Sequence, residues 1–324
     1  MIGAGRFAPS PTGELHLGNL RTALVAWLSA RSNGRAFIVR MEDLDRVTSS
    51  QQHEREQLRS LGALGIDWDG DVIRQSERFA IYDDAIATLA AAGRTYECFC
   101  TRREIRDAIS APHDSPHDSP HNSLSAGGAA ASGLVADGAY PGTCRELTTR
   151  QLADFRADGR RPAIRLRADG ATVSIHDELH GAVHGVVDDV VLRRNDGVPA
   201  YNLAVVVDDA AQAVAEVVRG DDLLSSTPRQ VLLQQLLGLP TPTYVHVPLV
   251  LGADHVRLAK RHGAVTLTQL AALGIDSTAT LALLATSLGI AGAAEAVEVG
   301  ETGETPSARD LIERFDLHAI PREP

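Results

Sequence analysis

Arg6-Phe7-Ala8-Pro9-Ser10-Pro11-Thr12-Gly13-Glu14-Leu15-His16-Leu17-Gly18-Asn19 is the stretch on which the reading of this chain turns. It begins inside a short apolar, β-prone segment at residues 3–8. It leads into residues 19–32, where Leu20, Ala23, Leu24, Trp27 and Leu28 recur at helical spacing. A second β-prone segment follows at 36–41. Strand, turn, helix, strand is the opening of a parallel α/β sheet, and the turn after the first strand is where such sheets bind nucleotides. Gly13 and Gly18 allow close backbone approach to a ligand, and the helix N-terminus near Asn19 attracts phosphate. His16 can donate a hydrogen bond to an α-phosphate or its bridging oxygen.

Further helices are expected at about 50–64 and 81–92. From residue 110 to 138 the composition shifts to Pro, His, Ser, Gly and Ala, with His113-Asp114-Ser115-Pro116 nearly repeated as His117-Asp118-Ser119-Pro120; this reads as an inserted disordered loop. Residues 163–167 and 186–193 alternate apolar and polar side chains, as in an antiparallel sheet. The continuous apolar run at 203–207 reads as a buried parallel strand. Helical patterns follow at 230–237, 267–273 and 281–288. The organisation expected is a Rossmann-type domain split between 1–92 and 193–245. An α+β insertion would occupy 93–192, and a largely helical region 246–324.

Of 324 residues, 44% are apolar and 23% charged, a globular composition that excludes wholesale disorder. No apolar run approaches the roughly 20 residues needed to span a bilayer, and an acidic residue within the first twenty positions, Glu14, argues against a secretory leader. A cytoplasmic, monomeric protein is expected. The net charge of −11 excludes a sequence-independent grip on nucleic acid, so such a partner would need a local basic face. The pairs Arg102-Arg103, Arg160-Arg161 and Arg193-Arg194 are candidates. Of the 31 basic side chains only one is lysine, Lys260.

That lysine lies in Arg257-Leu258-Ala259-Lys260-Arg261-His262-Gly263-Ala264, after Pro248-Leu249-Val250-Leu251. Three cations closed by a glycine suit a polyphosphate and a departing pyrophosphate; the competing reading is an exposed basic loop. The three cysteines form a separate constellation: Cys98-Phe99-Cys100, with Tyr140 and Cys144 beyond residues 101–139. An odd number cannot close as disulfide pairs. Three thiolates and one phenolate would make a closed tetrahedral zinc site, with His113 or water competing for the fourth position.

The string at 6–19 and the loop at 257–264 resemble the two signature motifs of class I aminoacyl-tRNA synthetases in their glutamyl form. Arg40-Met41-Glu42-Asp43-Leu44-Asp45, the segment from Tyr201 to Asp209, Val218-Arg219-Gly220-Asp221-Asp222-Leu223-Leu224 and Ser226-Thr227-Pro228-Arg229-Gln230 follow in the family's order. The resemblance implies a glutamate pocket of Arg6, Phe7, Ala8, Pro9, Ser10, Glu42, Tyr201 and Arg219. It places ATP on His16, Gly18, Asn19 and Lys260, with His16 and Lys260 catalytic and Mg2+ accompanying ATP. Guanidinium forks for two carboxylates and an acid for one ammonium are what glutamate requires. Cys-x-Cys followed by Tyr-x-x-x-Cys is similar to the structural zinc site of the short glutamyl-queuosine tRNA(Asp) synthetases.

Too little chain follows Lys260 for the two helical anticodon-binding domains of a full glutamyl-tRNA synthetase. The resemblance therefore implies a catalytic core that activates glutamate with ATP and transfers it to queuosine of tRNA(Asp), through a helical stem-contact region and without an anticodon-binding domain. Two departures stand in the lysine motif: Arg257 replaces a lysine and Ala259 a serine. The alternatives are a truncated enzyme charging tRNA(Glu) and an inert RNA- or nucleotide-binding paralogue.

Overall fold

The computed structural model describes residues 3–105, 134–135, 139–250, 265–290 and 307–322. Strand β1 (Ala4–Phe7) is wholly buried and runs into helix α1 (Leu17–Ser32), followed by β2 (Phe37–Met41). A Cβ at Gly5 would lie 2.8 Å from that of Ala30, so glycine here is what lets α1 sit directly on the sheet. Helix α1 is buried around almost its whole circumference, because the sheet lies on one side and Leu281, Leu284, Ala308 and Leu311 cover the other.

Helix α2 (Gln51–Ala63) is capped by Ser50, whose hydroxyl accepts the His53 amide. Strand β3 (Ile73–Arg74) and helix α3 (Phe79–Ala91) follow, as the apolar periodicity predicted for the helix. Past α3 come β4 (Thr95–Cys98), the two-residue β5 (Leu134–Val135), α4 (Thr149–Ala157), β6 (Ala163–Leu166), β7 (Thr172–Asp177), β8 (Gly181–Val186) and β9 (Val191–Arg193). The second half of the catalytic unit holds α5 (Tyr201–Ala211), β10 (Val214–Gly220), α6 (Thr227–Leu237) and β11 (Thr243–Val247), before α7 (Leu267–Ala272) and α8 (Ser277–Ser287).

Eight strands form one sheet in the order β3-β2-β1-β10-β11-β7-β8-β5. Every pairing in it is parallel except the β7–β8 hairpin. Because β2 and β10 flank β1 on opposite sides, the order reverses there, and a crevice opens at the carboxyl ends of these strands. A smaller antiparallel sheet, β4-β6-β9, carries the cysteines at the end of β4.

Three expectations are corrected. The run at 203–207 is not a strand: it lies within α5, whose Leu203, Ala204, Val205 and Val206 are all buried. A short apolar run cannot separate a strand from a helix covered on several sides; here α3 and α6 enclose it, and the parallel strand is β10, which begins at Val214. The segment 186–193 is not one strand, since β8 ends at Val186 and β9 begins at Val191. Finally, the interval 93–192 is shared between two sheets. Its β7–β8 hairpin joins the large one, with Asp177 opposite Tyr244, and Leu134–Val135, inside the stretch expected as loop, pairs with β8. The remainder of that loop, with His113 and His117, lies outside the described residues, as does the whole segment Arg257 to Ala264 with Lys260.

Candidate active site and metal centre

The crevice is a cavity of about 450 Å³ at the carboxyl ends of β1, β2 and β10. Its lining includes Arg6, Phe7, Ala8, Pro9, Ser10, His16, Gly18, Asn19, Glu42, Tyr201 and Arg219. All the pocket residues expected from sequence are thus brought together, with Lys260 the one candidate outside the described residues. Leu249 and Val250, after β11, close one side.

The loop between β1 and α1 has little regular structure, so its shape rests on individual bonds. Glu42 and Ser50 donate their amides to the carbonyls of Pro9 (2.9 Å) and Pro11 (3.0 Å). Gln57, buried on α2, donates its side-chain amide to the carbonyls of Ser10 (3.0 Å) and Gly13 (2.7 Å). The loop ends in a reciprocal cap on α1: His16 Nδ1 accepts the Asn19 amide at 3.2 Å, and Asn19 Oδ1 accepts that of His16 at 3.4 Å. Because Nδ1 is the acceptor, the neutral ring carries its proton on Nε2. A Cβ on Gly18 would come within 3.0 Å of His16 Cε1, so this glycine makes room for the ring.

Charge is arranged in two tiers. Beneath the pocket, fully buried Arg40 binds Asp209 at 2.8 Å, with Glu42 at 3.4 Å and Asp208 at 3.8 Å. Asp208 also accepts from Arg78 Nε (2.7 Å), Tyr82 (2.7 Å) and Gln75 (2.9 Å). Above this network, Arg6 donates to the Val218 carbonyl at 3.2 Å and lies 3.7 Å from Asp209. Burial pushes the Glu42 carboxyl upward, against the pull of Arg40 and Arg6. This acid in the pocket lining is thereby destabilised as an anion, a state that an incoming ammonium would relieve. Cationic forks, one acid and a helix N-terminus around one cavity can hold a zwitterion with a second carboxylate beside a nucleoside phosphate.

The cysteines meet in the smaller sheet. Cys98, Cys100 and Cys144 place their sulfurs within 4.8 Å of one another, with Cys100 and Cys144 at 3.3 Å. The Tyr140 hydroxyl lies 3.4 Å from Cys98 and 3.6 Å from Cys100, and accepts the Cys144 amide at 2.8 Å. A tetrahedral zinc–thiolate centre with bonds of about 2.3 Å needs sulfurs roughly 3.8 Å apart, so this donor set fits a metal ion with small adjustment. Bonding with Cys144 and burial push the Cys98 thiol up, while the bond from Cys98 pulls Cys144 down. Arg165 lies 3.6 Å over the Tyr140 ring, a cation against a site that becomes anionic when its thiols ionise.

Of the basic pairs, Arg160 is held by Glu104 and the Phe99 carbonyl, Arg193 by Asp83 and Arg194 by Asp196. Several site residues carried no sequence signal of their own: Gln57, and the buried pair Asp177 and His246, which are 69 positions apart. Arg40, Asp208 and Asp209 were marked by their positions within recognisable strings.

A sheet that reverses its strand order at a His-capped helix, with arginines and an acid around the crevice, is the arrangement that the resemblance to class I tRNA synthetases implied. The chain belongs to that family: the model for tRNA synthetases class I (E and Q), catalytic domain, matches residues 4–305. Within it the chain falls among the glutamyl-Q tRNA(Asp) synthetases. It is 53% identical over 322 residues to the protein of that name from Nocardia farcinica, covering 99% of this chain and 92% of that one. To the Symbiobacterium thermophilum protein of the same name it is 44% identical, covering 99% and 94%. Among solved structures, glutamate-tRNA synthetase from Elizabethkingia anophelis superposes with a TM-score of 0.77 at 26% identity, over 99% of this chain and 67% of that one. Among the described residues no helix is long and apolar enough to cross a membrane.

Proposed function

We propose that the chain activates L-glutamate with ATP and transfers the glutamyl group to queuosine of tRNA(Asp). The observation that carries the proposal is the convergence of Arg6, Ser10, Glu42, Tyr201 and Arg219 on one cavity with His16 and the N-terminus of α1. The tRNA substrate follows from relatives of similar length: the chain covers nearly all of two proteins named for that activity, but 67% of the solved glutamate-tRNA synthetase.

In the first step the α-carboxylate of glutamate attacks the α-phosphorus of Mg·ATP in line. A carboxyl O–P bond forms, the bond to the bridging oxygen breaks, and pyrophosphate leaves. No base is needed, because the nucleophile is already ionised at neutral pH. Arg6 and Arg219 bind the carboxylates and Glu42 the ammonium. The Nε2–H of His16 steadies charge on the phosphate, beside the positive end of α1. By its motif, Lys260 neutralises the leaving pyrophosphate, with Arg257 in support. Catalysis on this account is positioning and electrostatics. In the second step a hydroxyl of the queuosine ring attacks the mixed anhydride and AMP leaves.

The cysteine cluster is assigned a structural zinc, held by Cys98, Cys100, Cys144 and Tyr140, which ties the end of β4 to the segment before α4. When bound, the metal supplies cross-linking rather than chemistry on the substrate.

Glutamate-dependent ATP–pyrophosphate exchange without tRNA tests the activation step. Exchange in the wild type that is nearly abolished by Lys260→Ala supports the assignment, whereas an unchanged rate in that variant contradicts it.

A further inference from the structure

Arg219 differs from the other buried arginines of the site in what surrounds it. Arg40 is held by three carboxylates and Arg6 lies against Asp209. Arg219, only 4% exposed, makes its hydrogen bonds to neutral groups: Nε to His246 Nε2 at 2.9 Å, Nη1 to Gln230 Oε1 at 2.8 Å and Nη2 to Thr227 Oγ1 at 2.7 Å. The Tyr244 ring lies 5.3 Å from its guanidinium carbon. Arg219 lines the cavity, and these partners stand behind it.

His246 and Asp177 form the next layer, and both are fully buried. Asp177 Oδ1 accepts the amides of Leu179 and His180. Its Oδ2 accepts the amide of His246 at 3.0 Å and lies 2.6 Å from His246 Nδ1. Four hydrogen bonds hold this carboxylate as an anion, below the usual carboxylate range. A guanidinium can only donate, so the ring nitrogen facing Arg219 must be the acceptor. The proton is therefore on Nδ1, aimed at Asp177. An imidazolium, or the opposite tautomer, would set N–H against N–H.

We infer that His246, oriented by Asp177, is a positioning residue for the substrate pocket. As a neutral acceptor it fixes the plane of the Arg219 guanidinium and leaves that cation's charge for a substrate carboxylate. A carboxylate in its place would fix the plane too, but would neutralise the arginine. Asp177 acts one group further away, through the imidazole. The inference rests on the proposed glutamate pocket and deepens it: selection of an acidic side chain depends on a histidine from β11 and an aspartate from the β7–β8 hairpin, neither of which lines the cavity.

The test is exchange kinetics on the full chain with His246→Leu and His246→Gln. Loss of a hydrogen bond to a charged group predicts a KM for glutamate raised about tenfold or more in the leucine variant, with KM for ATP within about twofold of wild type. His246→Gln, which retains an acceptor, recovers most of the loss. An unchanged KM for glutamate in folded His246→Leu, or an equal rise in both KM values, overturns the inference. Should the leucine variant fail to fold, imidazole ¹⁵N resonances of the wild type decide: a non-titrating Nδ1–H tautomer at neutral pH supports it and an imidazolium or Nε2–H tautomer overturns it. A wild type that shows no exchange with glutamate contradicts the proposed function instead, and the tautomer is read independently of that result.

Discussion

His16 accepts the Asn19 amide on Nδ1 at 3.2 Å, so one side chain caps α1 and also lines the cavity, where the proposed function gives its Nε2–H to a phosphate. The two roles can be separated. Asparagine is a good N-cap but has no donor at the reach of Nε2, so His16→Asn should retain stability, whereas His16→Ala should lose about 1 kcal/mol of it. Both variants should exchange pyrophosphate about a hundredfold more slowly, because both lack the phosphate-facing donor. Thermal melts beside exchange rates check this; an asparagine variant with wild-type exchange would show that His16 only caps.

Gly18 bears on the same ring. An added Cβ would sit 3.0 Å from His16 Cε1 and 3.1 Å from Nδ1, too close without displacing the imidazole. Alanine is otherwise a better helix former than glycine, by up to about 1 kcal/mol. Gly18→Ala should therefore melt no lower than wild type by more than a few degrees and yet lose exchange activity. Full activity in that variant would show that the ring position is not critical.

For the cysteine cluster, purified protein should carry about one zinc per chain, measured by atomic emission. Cys144→Ala should lose the metal and destabilise the small sheet. Tyr140→Phe, which retains the ring under Arg165 but not the hydroxyl, should bind zinc more weakly than wild type. Equal zinc content in Cys144→Ala would sink the site, and equal affinity in Tyr140→Phe would remove the phenolate from it.

Acid should weaken the fold through His246, whose burial holds it down to about 4 from an ordinary value of 6.5 despite the opposing bond to Asp177. Above about pH 6.5 the ring is neutral whether the chain is folded or not, and the full stability is present. Between about 6.5 and 4 the unfolded chain takes up a proton that the fold refuses, and stability falls by roughly 3 kcal/mol at most. Below that window this group costs nothing further, while Asp177 begins to contribute its own loss. Urea midpoints across the window should slope less steeply in His246→Gln than in wild type; parallel slopes would assign the acid sensitivity elsewhere.

Much of this was legible from the sequence because motif and geometry coincide locally. The strand, loop and helix from Ala4 to Ser32 read correctly, since Leu20, Ala23, Leu24, Trp27 and Leu28 repeat at helical spacing and the glycines mark the turn. Residues 203–207 were misread because burial on several sides erases periodicity, leaving composition alone to choose between strand and helix. The residues behind the pocket were invisible for another reason. Gln57 holds the loop from 47 positions away, and Asp177 reaches His246 across 69, so no local pattern links either to the site it shapes. The joining of the β7–β8 hairpin to the large sheet depends on pairing between strands distant in the chain, which alternation of side chains does not specify.

On the proposed function, activated glutamate goes to a modified base rather than to the 3′ end. Labelled glutamate, ATP and enzyme should be incubated with tRNA(Asp) that carries queuosine, and the product digested to nucleosides. Label on queuosine, absent when the tRNA lacks that base, is the result this account predicts; label on the terminal adenosine, or charging of tRNA(Glu), would contradict it.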